Sequence, residues 1–142
     1  MTEVVKFSDA TNLGFHAMIQ LSQAQDGEIP LKDIAAAIEV SEAHLSKVMQ
    51  RLRKVGLVSS TRGPTGGYRL AKTPETIRFY DILVAIDGPI LPRFCLFKRP
   101  VCKNATCGLG KFVGKLNLNV KTYLENLNLA QVVSIANTNQ AA

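Results

Sequence analysis

Three cysteines, Cys95, Cys102 and Cys107, are the side chains best suited to metal or redox chemistry, and they lie in one segment with six and four residues between them. Thiolates are soft ligands that suit zinc or an iron-sulfur cluster, and Lys98, Arg99 and Lys103 set cations among them, with Pro92 and Pro100 as stiff joints. Three sulfurs leave one coordination position to fill. With no Cys-x-x-Cys pair, the spacing disfavours a zinc ribbon or knuckle and offers no haem attachment. An odd number of cysteines confined to one loop argues against a secreted disulfide framework and for a reducing compartment.

The second chemistry is electrostatic. Residues 1–43 carry two basic and seven acidic side chains, whereas residues 44–72 carry seven basic and none acidic, within a chain of net charge +6. A carboxylate-free block in an otherwise mixed chain points to a polyanionic partner, with nucleic acid the natural candidate.

The elements that would position these groups follow from apolar spacing. Ser8 or Asp9 can cap a first helix carrying Leu13, Ala17, Met18, Leu21 and Ala24, which Asp26-Gly27 stops. His16 is expected to pack near its apolar side. Pro30 opens a second helix through Ile38, and Ser41 is placed to cap a third. In that helix Leu45, Val48, Met49, Leu52 and Val55 form an apolar stripe, while His44, Lys47, Arg51 and Lys54 form a basic one, and Gly56 ends it. This order is a helix-turn-helix. Two short strands around Leu57–Ser60 and Tyr68–Leu70 flank a tip containing Arg62, Gly63, Pro64, Gly66 and Gly67, which reads as a wing with an arginine for a narrow minor groove. A helix after Pro74 runs to Gly88-Pro89, and Val113, Leu116, Val120, Tyr123 and Leu127 form a short heptad seam that needs the body or a second copy to pack on.

The chain of 142 residues fits one ordinary domain and is too short for a TIM barrel. The first ten residues hold two carboxylates and no signal-peptide core, and no later run is long and apolar enough for a membrane span, so a cytoplasmic protein is expected. Neither a Ser-His-Asp order, a paired-carboxylate site nor a phosphate-binding loop stands out. Gly108, Gly110 and Gly114 follow no strand and make no nucleotide loop, so an enzyme is not expected.

The run from Arg51 to Leu70, RLRKVGLVSSTRGPTGGYRL, closely resembles the recognition helix and wing of IscR/NsrR-type regulators, the Rrf family. The resemblance extends over nearly the whole chain. It implies a mostly α fold with a small β-hairpin wing, a winged helix-turn-helix domain over residues 1–89, a cysteine-containing sensor loop over 90–107, and a dimerisation helix and tail over 108–142. It implies a homodimeric transcriptional regulator, usually a repressor, that binds double-stranded DNA at a palindromic operator. Ser41, His44, Ser46 and Lys47 would meet base edges, Arg51 and Lys54 phosphates, and Arg62 the minor groove, with Gly63, Pro64, Gly66 and Gly67 shaping the wing.

Many members of that family sense through an iron-sulfur cluster, 2Fe-2S or 4Fe-4S, responding to nitric oxide, redox or iron status. Cys95, Cys102 and Cys107 would be the ligands here. Cluster-binding relatives place five residues in each gap, so the six and four found here depart from that pattern while keeping the outer span. The IscR-like branch carries a histidine three residues after the last cysteine, where this chain has Gly110. The nitric-oxide-sensing branch uses an aspartate at the start of the first helix of the other subunit. Asp9 stands at that place, as a ligand or simply as a helix cap. Two alternatives remain: the same fold with a cluster-free thiol switch, and, from another class, a small metal-binding or electron-transfer protein that leaves the basic block unexplained.

Overall fold

The structure is a computed structural model and describes residues 2–24, 27–99 and 107–140. Helix α1 (Asp9–Gln23) starts where Ser8 turns its hydroxyl to accept the Thr11 amide at 3.0 Å. Its buried side, Gly14, Phe15, Ala17, Met18 and Leu21, recurs at helical spacing. His16 is exposed, with its Nδ1 2.8 Å from the Asn12 carbonyl, which corrects the expectation that it packs inside.

Helix α2 (Leu31–Ala37) and helix α3 (Glu42–Lys54) are joined by a turn in which Glu39 takes φ 55°. The turn is closed by the Val40 amide on the Ala35 carbonyl at 3.0 Å, and Ser41 then caps α3 by accepting the His44 amide at 3.2 Å. Leu45, Val48, Met49 and Leu52 of α3 are buried against α1 and α4, and each such side chain withdrawn from water contributes about 1.5–3 kcal/mol.

Strands β1 (Val58–Ser60) and β2 (Tyr68–Leu70) pair antiparallel, with Val58 opposite Leu70 and Ser60 opposite Tyr68. The hairpin does not stand alone. Ile29, just ahead of α2, exchanges two backbone hydrogen bonds of 2.9 Å with Tyr68 on the outer side of β2. That approach requires Gly67, because a Cβ there would sit 2.5 Å from the Ile29 carbonyl oxygen.

After β2, Pro74–Thr76 forms one 3-10 turn, and helix α4 (Phe79–Asp87) begins later than the apolar spacing suggests. The tail is the reason. The Ile77 carbonyl accepts the Leu129 amide at 2.9 Å and the Phe79 amide donates to the Leu127 carbonyl at 3.0 Å, so the backbone between them is committed to a partner far along the chain. The same bonds end α5 (Gly108–Asn126), and the stretch beyond it, expected as a tail, forms a further helix, α6 (Leu129–Gln140). Asn128 and Gln131 cap α6 reciprocally, each side-chain oxygen accepting the other residue's amide at 2.9 Å. Leu129 thereby enters the common core and α6 packs on α1, while Leu127 lies outside the helix and Tyr123 remains 67% exposed. Of the expected seam, Val113, Leu116 and Val120 are half-buried on α5. Among the described residues no helix is long and apolar enough to cross a membrane.

Replacing Gly67 by Ala forces a methyl group into the Ile29 backbone, and overpacking of this kind costs about 1–3 kcal/mol. Urea unfolding should show a lowered midpoint with an unchanged slope. Gly108→Ala, where a Cβ meets open space at the first turn of α5, serves as the control and should be neutral or slightly stabilising.

Candidate nucleic-acid interface and cysteine segment

The burial of one stripe of α3 leaves the other in solvent. His44, Lys47, Arg51 and Lys54 are all exposed, as is Ser41, whose hydroxyl is engaged as the cap. Ser46 is half-buried and accepts a 3.3 Å hydrogen bond from Gln50 Nε2 on the next turn. Gln50 is therefore a candidate for base-edge contact that the charge pattern did not single out; its spacing of four from Ser46 was the available sign. Arg51 is placed differently from its neighbours. Its Nη1 donates to the Ile86 carbonyl at 2.8 Å, tying α3 to the last turn of α4.

The wing tip is a tight turn closed by the Gly66 amide on the Gly63 carbonyl at 3.0 Å, with Gly63 at φ 114° and Pro64 at the following position. Arg62, Gly63 and Pro64 are exposed and Gly66 is half-buried, so the guanidinium of Arg62 projects from a loop stiffened on both sides. Gly67 is buried against Ile29 and serves packing. At the base of the wing the Thr61 hydroxyl bonds to the Glu28 carboxylate, and Arg69 Nε donates to Ser59 Oγ at 3.2 Å across the hairpin. Exposed Arg69 and Lys72 extend the cationic surface beyond the residues chosen from the motif.

The cysteine segment is described up to Arg99 and again from Cys107, so Cys102 lies outside the described residues. Cys95 and Cys107 are half-buried free thiols. Cys107 caps α5, its Sγ accepting the Gly110 amide at 3.4 Å. Gly110 and Gly114 form a shallow groove on α5 that receives Phe94. A Cβ on Gly110 would collide with the Phe94 carbonyl, and one on Gly114 would sit 2.6 Å from the Phe94 ring. This packing brings the residue preceding Cys95 onto the first turn of the helix that Cys107 caps. It also explains the departure at Gly110: no side chain fits there, histidine included.

Asp9 is exposed in the first turn of α1, and the cap of that helix is made by Ser8. Among the described residues no three His, Cys, Asp or Glu side chains gather around one point. Residues 88–124 form a second carboxylate-free block, with seven basic side chains and none acidic. The segment is also rich in exposed apolar groups, with Leu91, Phe94, Leu96, Phe97, Leu109, Phe112 and Leu118 all left in solvent by a single chain.

The order of elements and the exposed basic face have counterparts among known proteins. The chain is 33% identical over 119 residues to the HTH-type transcriptional regulator IscR of Yersinia pestis, covering 83% of this chain and 73% of that protein. Identity to the IscR of Aliivibrio salmonicida is 30% over 118 residues, 82% of this chain and 70% of that one. The fold superposes with a TM-score of 0.79 on CymR (YrzC), the global cysteine regulator of B. subtilis, at 30% identity, covering 93% of this chain and 98% of the other. T. potens IscR matches equally well, with a TM-score of 0.79, 29% identity and coverage of 98% and 93%. The family model described as Rrf2, iron-dependent transcriptional regulator, matches residues 7–135, from the segment before α1 into α6. With its winged helix-turn-helix and its exposed basic α3, the chain belongs to the Rrf2 family of DNA-binding transcriptional regulators and is not an enzyme.

Proposed function

We propose that this chain is a homodimeric repressor that reads a two-fold operator through α3 and the wing, under the control of an iron-sulfur cluster in its cysteine segment. The observation that carries the DNA reading is the division of α3: one stripe buried in the core, the other a solvent-facing row of His44, Lys47 and Lys54 beside the Arg62 wing, with no carboxylate between residues 44 and 72. In this reading Ser41, His44, Ser46 and Lys47 meet base edges in the major groove. Lys54 and the unbonded donors of Arg51 meet phosphates, and Arg62, carried by Gly63, Pro64 and Gly66, enters the minor groove. The domain division of 1–89 for DNA, 90–107 for sensing and 108–142 for dimerisation is part of the same proposal, with the exposed apolar groups of α5 supporting a second copy as partner.

The donor chemistry of the cysteine segment suits a cluster. Cys107 is a free thiol capping α5 with an N–H already pointing at its sulfur, Cys95 is a free thiol next to Phe94, which packs on the first turn of that helix, and the cationic block of residues 88–124 favours an anionic thiolate assembly. Cys95, Cys102 and Cys107 would hold it, with Asp9 of a second copy as the fourth ligand in place of the histidine that Gly110 excludes. When bound, such a group supplies sensitivity to nitric oxide, redox state or iron supply.

A second reading keeps the DNA function and replaces the cluster by thiol chemistry among the same cysteines. It is favoured by the six-and-four spacing, by the free half-buried thiols, and by the likeness to CymR, for which an oxidized form from Staphylococcus aureus has a TM-score of 0.75 at 26% identity.

Arg62→Ala should weaken operator binding by about 1–3 kcal/mol in a fluorescence titration; retained affinity and sequence preference would remove it from the interface. Cys102→Ala should abolish the colour of anaerobically purified protein and leave the dimer folded, as followed by visible absorption, iron and sulfide content, and gel filtration. Wild-type protein that is colourless and iron-free under those conditions favours the thiol switch instead.

A further inference from the structure

Asp87 occupies a position that its own helix disfavours. It is the last residue of α4, where the helix dipole opposes a carboxylate. Its compensation comes from α1. One oxygen, Asp87 Oδ2, accepts the Ser8 hydroxyl at 2.5 Å and the Thr11 hydroxyl at 2.8 Å, so the negative charge sits at the N-terminus of α1, where it is favoured. Thr11 is fully buried, and Asp87 is the partner that satisfies its hydroxyl. The residue before it, Ile86, gives its carbonyl to Arg51 of α3. Two consecutive residues therefore hold the start of α1 on one side and the recognition helix on the other.

The same joint borders the cysteine segment. Ser8, Asp87, Gly88 and Pro89 line one groove of about 620 Å³ whose far wall includes Leu96 of the cysteine segment and Leu109 of α5. The groove thus reaches Asp87, the immediate neighbour of the residue that anchors Arg51.

We propose that Asp87 is a positioning residue for sequence-specific DNA binding: by clamping Ser8 and Thr11 it fixes Ile86, and through Arg51 it sets the seat of α3 relative to the start of α1. The proposal rests on the reading of α3 as the recognition helix. Asp87 touches no nucleic acid in this scheme. Its loss lowers discrimination between sequences while the exposed cations continue to bind any duplex, because non-specific affinity depends on charge and specific affinity on register.

The test uses the full chain and two probes: a duplex enriched by the wild-type protein from a randomised pool, and a scrambled duplex of the same length. Asp87→Ala and Thr11→Val should each weaken binding to the enriched duplex by about tenfold, close to the value of one good hydrogen bond, and change binding to the scrambled duplex by less than about twofold. Thr11→Ser, which keeps the donor, should behave as wild type. The double variant Asp87→Ala, Thr11→Val should be no worse than Asp87→Ala alone, since the bond lost with Thr11→Val is one of the two already lost with Asp87→Ala. Ser8→Gly is the milder probe if the others fail to fold: glycine is tolerated as a helix cap, yet it removes one of the two hydroxyls on Asp87. It should lower specific binding alone, at an unchanged circular dichroism spectrum. Equal losses on both duplexes, or an unchanged ratio between them in a folded variant, would overturn the proposal. A wild-type protein that enriches no sequence from the pool would overturn the DNA reading beneath it, a result distinct from failure of the clamp.

Discussion

The seating of α3 is the constraint on which the rest of the molecule depends. Leu45, Val48, Met49 and Leu52 go into a core shared with Met18 of α1, Ile82 of α4 and Leu129 of α6, and this leaves the basic stripe no direction but outward. A helix of thirteen residues with three cations in its last turn has little reason to be stable alone; tertiary burial supplies it. The charge of the surface and the packing of the interior are thus two sides of one element. The cations in the last turn also complement the helix dipole, so their electrostatic role toward a polyanion costs the fold nothing.

Local signals in the chain were read correctly where the stabilising contacts are local. Ser41 and the Leu45-Val48-Met49-Leu52 spacing identify α3, and the Gly-Pro-rich tip between two β-prone runs identifies the wing, because caps, periodicity and turns act within a few residues. The late start of α4 and the break between α5 and α6 were not legible. Both follow from backbone bonds between residues 77–79 and 127–129, and nothing in either stretch by itself announces a partner fifty residues away. The one local sign, the Asn128-x-x-Gln131 cap, lies within an apolar pattern that looks continuous. His16 is exposed for a related reason: its place on the wheel is near the boundary of the buried face, where a shift of one position decides exposure.

The candidate site divides in the same way. His44, Lys47, Arg51 and Lys54 could be placed on one face from spacing, but only the three-dimensional structure distinguishes Arg51, whose guanidinium is bonded to α4, from the others. Gly67 belongs to the wing motif by sequence and to the seam with Ile29 by contact. At Gly110 the missing histidine is a departure in sequence terms, whereas in space it is a requirement of the Phe94 backbone lying on α5. A motif records which residues occur together; the reason for each one is written in what it touches.

The bridge between Ile29 and Tyr68 makes the wing a continuation of the segment that enters α2. The wing and the entry to α2 are thereby riveted to one another within a single chain, and the offset between them is a fixed length of the fold. In the proposed pairing of two copies on one duplex, this seam would keep the wing of each copy in step with its own helix-turn-helix.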